Sequence, residues 1–142
     1  MPDFDGSELE FWIGAWAVSW GTSGAGTNRI ERILGGHVLH EQFEGRDEND
    51  GLVGESWSVF DSKRNVWRQT WVDDQGGYLE LVGGRVDDWF AFEREAPEVA
   101  KNARQRMVFR DVTPGAFRWT WESSPDAGTT WQTRWEIAYR RS

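Results

Sequence analysis

In the stretch Trp67-Arg68-Gln69-Thr70-Trp71 the two Trp residues lie at odd positions, and Arg68 and Thr70 lie at the even positions between them. Successive side chains of a β-strand point to opposite faces, so this pattern predicts a strand with one face inward. The chain has 11 Trp in 142 residues, and the same alternation recurs at three other places. These places are Trp16-x-Val18-x-Trp20, Trp119-x-Trp121 and Trp131-x-Thr133-x-Trp135. Because one aromatic side chain carries about 150–250 Å² of surface, we expect an interior lined by large flat rings.

Short turn-forming segments rich in Gly, Pro, Asp and Asn separate ten alternating segments of the chain. Connections this short force antiparallel neighbours, because parallel strands need a crossover of about a dozen residues or more. A flat sheet of this size would expose two edges, and closure into a barrel removes them. The sequence therefore predicts one domain over residues 1–142, an all-β, up-and-down antiparallel barrel of about ten strands. Its first strand, about Ala15–Trp20, should pair with its tenth, Thr129–Arg140. The alternative is a β-sandwich whose rings fill the core completely.

The segment before the first strand has the pattern of a capping box. In Ser7-Glu8-Leu9-Glu10, Ser occupies the N-cap position and Glu follows three residues later. We expect a short N-terminal helical plug that carries Leu9, Phe11 and Trp12 inward and ends at Gly14.

The composition excludes several classes of partner and chemistry. The formal net charge is −8 and the pI is about 4.8, which argues against nucleic acid and anionic membranes as partners. The absence of cysteine excludes disulfides, thiol nucleophiles and zinc-thiolate sites. The N-terminus lacks the pattern of a signal peptide, and no apolar run approaches the ~20 residues of a membrane span. We therefore expect a cytoplasmic protein.

Two features at the ends of the predicted barrel resemble a known superfamily. Gly14-Ala15-Trp16 opens the first strand, and Arg140 and Arg141 end the last one. This arrangement resembles the calycins, which comprise lipocalins, fatty-acid-binding proteins and their bacterial relatives. In calycins a Gly-x-Trp stands at the start of the barrel, and an Arg of the last strand packs on that Trp to seal one end.

Longer stretches are similar to a bacterial calycin-like domain family of unknown function. They are Phe11–Trp16, Gly54–Asp61 and Trp67–Asp73, the last running on to Gly76 and Gly83. The shared motifs are structural, so the resemblance implies a fold and leaves the activity open. The related nitrobindins bind haem through a histidine near the end of the barrel, and the last strand here has no histidine. No cofactor is predicted.

Strand parity assigns candidate binding residues to the inner face. The predicted ligand-binding side chains are Trp16, Glu41, Glu55, Trp57, Trp67, Gln69, Trp71, Phe92, Arg94, Trp119, Trp121, Trp131, Trp135 and Tyr139. Glu41, Glu55 and Gln69 lie near the middles of three consecutive strands, so they could form one polar row. In a second interpretation Arg94 pairs with these carboxylates, and the row serves only the hydrogen bonds of buried indoles.

Other motifs carry less information. The spacing His37-x-x-His40 places the two imidazoles on opposite faces of a strand, so no metal site is predicted. Gly21–Gly26 is rich in glycine but lacks the Lys-Ser/Thr of a phosphate-binding loop. Trp89 and other outward rings are candidates for a homodimer patch.

Two functions from different classes follow from this interior. The first is binding of a small hydrophobic or planar aromatic molecule in a Trp-lined cavity, with a few inward carboxylate and amide groups. The alternative is a small barrel enzyme, an isomerase, cyclase or hydrolase, that uses Glu55 or Glu41 as its general acid or base.

Overall fold

The computed structural model describes residues 4–48, 50–86 and 89–142, and its sheet is a closed antiparallel barrel. The strands are β1 (Gly14–Trp20), β2 (Gly24–Ile33), β3 (Val38–Asp47), β4 (Asp50–Asp61), β5 (Val66–Asp73), β6 (Tyr78–Val86), β7 (Trp89–Glu95), β8 (Arg104–Arg110), β9 (Ala116–Ser124) and β10 (Gln132–Arg141). Each strand pairs with its neighbours in sequence, and β1 pairs with β10 through contacts such as Val18 with Tyr139. The predicted all-β barrel and its closing strand pair are therefore confirmed.

The Gly-rich segment after β1 is divided between a turn and the next strand. Residues 21–23 form the turn, whereas Gly24, Ala25 and Gly26 already belong to β2 and pair with β1. An added Cβ at Gly24 would meet the indole of Trp20, so glycine here makes room for that ring. At the β3–β4 turn Asp47 pairs with Asp50, and Asn49 between them lies outside the described residues.

The expected capping-box helix is not formed. Within the described ranges the helical element is a single 3-10 turn, Glu10–Trp12, whose N-cap residue is Leu9 rather than Ser7. The Glu8 carboxylate accepts hydrogen bonds from the backbone N–H groups of Asp5 and Gly6. Glu8 thus stabilises the loop before the turn, and one turn suffices to bury Leu9 and Trp12.

This turn covers one end of the barrel, which we call the closed end. The Phe11 ring packs edge-on against Phe109 and Phe117, with ring centroids 5.5 and 5.6 Å away. The Trp16 indole N–H donates to the carbonyl of Trp12 at 2.8 Å. The guanidinium of Arg141 lies 3.9 Å from the centre of the Trp16 ring, so the last strand also packs on this end.

The register of β10 contains an irregularity that matters for the site. Thr133 pairs with Glu122 and Trp135 pairs with Trp121, so one extra residue, Arg134, lies between two successive pairs. Such a β-bulge reverses the faces on which the preceding residues point.

Candidate functional site

The barrel contains an internal cavity of about 210 Å³ in the half opposite the closed end. Its lining is mostly aromatic and aliphatic, with one carboxyl group and one phenol. The lining residues are Glu41, Phe43, Leu52, Trp71, Leu79, Met107, Trp119, Trp121, Trp135, Ile137 and Tyr139.

Trp135 is the centre of the aromatic wall. Its indole meets Trp20, Phe43 and Trp119 edge-to-face, with ring centroids 5.2, 6.1 and 5.8 Å away and ring planes within a few degrees of perpendicular. Edge-to-face contacts place the positive edge of one ring against the negative face of another, which fixes their orientation. The wall is therefore an ordered set of rings.

Small residues on the facing strands make room for the indoles. A Cβ added at Gly54 of β4 would overlap the Trp71 ring, and one added at Gly45 would lie 2.7 Å from Trp20. Interior positions of narrow barrels often alternate small and large side chains for this reason. The cavity shape thus depends on glycines as well as on rings.

A hydrogen-bonded polar cluster lies at the inner side of the cavity. The carboxyl group of Glu41 accepts one hydrogen bond from the Asn28 amide and one from the Ser56 hydroxyl, both at 2.7 Å. The Asn28 amide also donates to the Tyr139 hydroxyl at 2.9 Å. All four side chains are buried, and they come from β2, β3, β4 and β10.

Burial sets the protonation of this cluster. It raises the pKa of Glu41 despite the opposing hydrogen bonds from Ser56 and Asn28 and the nearby charge of His40. Burial also raises the pKa of Tyr139 well above its ordinary value, and the proximity of Glu41 adds to the effect. The cluster therefore contains a carboxyl group that holds its proton more firmly than usual and a phenol that stays neutral.

Two buried oxygen atoms near this region lack partners. Among the described residues, neither Asn28 Oδ1 nor Gln69 Oε1 accepts a hydrogen bond. Gln69 donates through its amide N–H to Ser58 at 3.0 Å. A buried oxygen without a hydrogen-bond donor lowers the free energy of unfolding, so most buried acceptors in folded proteins have a partner.

An acidic vestibule adjoins the cavity. It has a volume of about 410 Å³, shares Leu52 and Trp135 with the cavity, and is also lined by Asp47 and Asp50. Asp47 accepts a hydrogen bond from the Trp20 indole at 3.2 Å, and hydrogen bonds from Ser23 and then from the Glu48 backbone and Trp20 lower its pKa. The surface beside the aromatic interior thus carries negative charge at neutral pH.

The structure brings part of the predicted binding set together. Glu41, Trp71, Trp119, Trp121, Trp135 and Tyr139 line the cavity. Trp16, Trp67, Gln69 and Phe92 face the interior as expected, but they are packed in the core and do not line it. These ten side chains thus lie on the inner face, and their role in binding a ligand stays a prediction.

Glu55 and Trp57 were predicted to face inward, and that orientation is wrong. Both side chains lie on the outer surface. There His40 Nε2 is 2.6 Å from Glu55 Oε1, and the His40 ring stacks on the Trp57 indole with the two ring centroids 5.1 Å apart. The inner face of β4 carries Gly54 and Ser56 instead, and the Trp71 ring leaves no room for a side chain at Gly54. The polar row therefore passes through Ser56 and not through Glu55.

Trp131 is also outside, because the β10 bulge reverses its face relative to Trp135. Its indole lies 4.0 Å from the guanidinium of Arg106 and donates to the Gly128 carbonyl. Trp89, a candidate for a dimer patch, also packs against an arginine: the guanidinium of Arg110 lies 3.8 Å from the centre of its ring. A homodimer stays a prediction.

Arg94 does not pair with the interior carboxylates. Its guanidinium donates to Gln105 at 2.6 Å and to Glu98 at 2.9 Å. The interpretation in which Arg94 neutralises Glu41 is therefore wrong.

Sequence reasoning missed Asn28 and Ser56. The signal for Ser56 was present, since Gly54, Ser56 and Ser58 share a parity that suits a face opposite large rings. Asn28 lies on the same parity as the buried Ile30, which indicates its inward direction once β2 is recognised as a strand.

Comparisons with protein families and with curated proteins find no match for this chain. No helix in the described part of the chain is long and apolar enough to cross a bilayer. In the same ranges, no group of three or more His, Cys, Asp or Glu side chains is placed to hold a metal ion.

Proposed function

We propose that this barrel binds a small, flat, largely apolar molecule in its aromatic cavity. The observation that carries the proposal is the cavity of about 210 Å³ with Trp71, Trp119, Trp121 and Trp135 in its lining. An engineered apolar cavity of about 150 Å³ in another protein is large enough to bind benzene. A cavity of this size therefore suits one ring or two fused rings, stacked against indole faces.

The barrel's architecture supports a place among calycin-like proteins. Ten antiparallel strands close in sequence order, and Arg141 stacks on Trp16, the residue that follows Gly14-Ala15. Barrels of this kind often enclose one small ligand, which agrees with the proposed role. The family assignment remains part of the proposal.

Calorimetric titration with 1-naphthol and decahydro-1-naphthol tests the proposal, because the two alcohols share a carbon skeleton but only one is flat. We expect 1-naphthol to bind with measurable heat and to quench Trp fluorescence, and the puckered alcohol to bind more weakly. Leu79→Trp, on the cavity lining, should abolish binding. Val82→Trp, on the same strand but half exposed outside, should leave it unchanged. No binding of either alcohol to the native protein would refute the proposal.

A second candidate function is supported by one observation, the buried Glu41 with its raised pKa at the cavity wall. A carboxyl group whose pKa is raised in this way can act as a general acid or base on a bound substrate. In this reading the barrel is an isomerase, cyclase or hydrolase, and Tyr139 assists from the adjoining wall. Native mass spectrometry of protein purified from its own host would supply the compound to test. Turnover of that compound that survives Glu41→Gln would exclude this mechanism.

A further inference from the structure

Within the described residues, two glutamates are buried, and their surroundings differ in one respect. Glu122 is 3% exposed and accepts hydrogen bonds from Arg106 at 2.8 Å and from Arg110 at 2.6 Å. Burial alone would raise its pKa, but the bonds from Arg110, Arg106 and Thr120 together outweigh burial and lower it. This carboxylate thus has cationic partners for the charge that it buries.

Glu41 has no such partner. It is 7% exposed, and its hydrogen-bond donors, Asn28 and Ser56, are both neutral. Within the described part of the chain no Lys or Arg lies within ion-pair distance of it. The titratable groups near it are Tyr139 from β10 and His40, whose side chain lies on the other face of β3. An ionised Glu41 would be a buried charge without a hydrogen-bonded cationic partner, which proteins rarely tolerate without a function.

The space beside Glu41 is the cavity, whose walls favour positive charge. Indole faces attract cations through the negative face of the ring, and four indoles line this space. The vestibule that adjoins it carries Asp47 and Asp50. A cation would therefore be attracted beside the cavity, stabilised along its walls and paired with Glu41.

We propose that the ligand of this cavity is a flat organic cation, a protonated aromatic amine or nitrogen heterocycle, whose N–H group donates to the Glu41 carboxylate. The inference rests on the proposed function and specifies its ligand class. The free acceptor positions on the Glu41 oxygens receive the N–H donor, since Asn28 and Ser56 each occupy one position on a different oxygen.

Pairing has a consequence for protons. Where free Glu41 is protonated, an incoming cation keeps its own proton and Glu41 releases its proton to the solvent, leaving a cation and a carboxylate in contact. Binding then releases up to one proton per ligand. Titrations in two buffers of different ionisation enthalpy measure that proton directly.

Calorimetry with 4-aminoquinoline and 1-aminonaphthalene tests the inference, because the two amines share a shape and only the first is a cation at neutral pH. We expect the cation to bind at least about tenfold more tightly to the native protein, since a desolvated ion pair is stronger than a neutral hydrogen bond. Glu41→Gln should abolish this preference while 1-aminonaphthalene still binds. Glu55→Gln removes a carboxylate from the outer face of the adjacent strand and should preserve the preference.

The outcomes separate the two proposals. If neither amine binds, the proposed function fails, and the inference fails with it. If 1-aminonaphthalene binds as tightly as 4-aminoquinoline, the cavity is a binding site but the cationic class is wrong. If Glu41→Gln does not fold, the proton measurement on the native protein decides. Because the pKa of Glu41 is raised from 4.5, proton release on binding 4-aminoquinoline in a pH series that starts at 4.5 and rises supports the pairing, and its absence at every pH of the series refutes it.

Discussion

Replacing Arg141 by Ala should destabilise the closed end of the barrel. The guanidinium stacks on the Trp16 ring at 3.9 Å and donates hydrogen bonds to the carbonyls of Phe11 at 2.8 Å and Pro114 at 3.2 Å. It also donates to the Ile13 carbonyl. These contacts connect the last strand to the chain before β1 and to the β8–β9 loop, so one side chain links three segments.

The size of the effect follows from these contacts. Arg141 is exposed, so each hydrogen bond competes with water and contributes at the low end, about 0.5 kcal/mol. The cation–π contact at an exposed site adds about 0.5–1 kcal/mol. The total loss is then about 2 kcal/mol. For 142 residues the entropy of unfolding is about 0.3 kcal/mol/K, so the melting temperature should fall by about 7 °C.

Differential scanning calorimetry at pH 7 measures this shift, with Arg140→Ala as the matched control. Arg140 is the preceding residue on the other face of β10, and it makes no side-chain hydrogen bond or ion pair with the described residues. The control should therefore melt within about 2 °C of the native protein. If Arg141→Ala melts as the control does, the closed end does not depend on this residue and the reasoning is wrong.

Three further changes test the interior and the outer wall. Glu122→Gln should cost about 3 kcal/mol in urea unfolding at neutral pH, because it leaves two partly buried guanidinium groups without their carboxylate. Since the pKa of Glu122 is lowered, the stability advantage of the native protein over this variant should shrink as pH falls below 4.5 and through the folded-state value. Glu41→Gln should show the opposite trend. The raised pKa means that the native protein loses stability as pH rises from 4.5 through the folded-state value, so the variant should gain relative stability there, and a pH-independent difference would contradict this. Gly54→Ala should destabilise by about 1–3 kcal/mol and shift Trp emission by displacing Trp71, whereas Gly84→Ala, where an added Cβ meets open space, should do neither.

The sequence predicted the inward side chains correctly only in strands whose alternation of large and small or polar residues indicates one inner face. In β5 both indoles and Gln69 share one parity, and all three face inward as expected. In β4 Val53, Trp57 and Val59 share a parity that suggests an inner face, yet all three are exposed outside. Periodicity identifies the two faces of a strand, but available volume decides which face is inside, and that volume is set by residues on other strands.

The sequence by itself determined the architecture. Short turns force neighbouring strands to be antiparallel, and a sheet of about ten strands closes into a barrel, which removes its edges. It also determined the character of the interior, because alternating indoles must be buried somewhere. Only the tertiary structure decided which carboxylate reaches the cavity. The bulge between Thr133 and Trp135 places Trp131 on the outer face. The small residues on the inner face of β4 leave Glu55 and Trp57 on the outer one. Glu41 then has only neutral hydrogen-bond donors, Asn28 and Ser56. Those outcomes depend on packing between strands distant in sequence, so the alternation within one strand does not decide them.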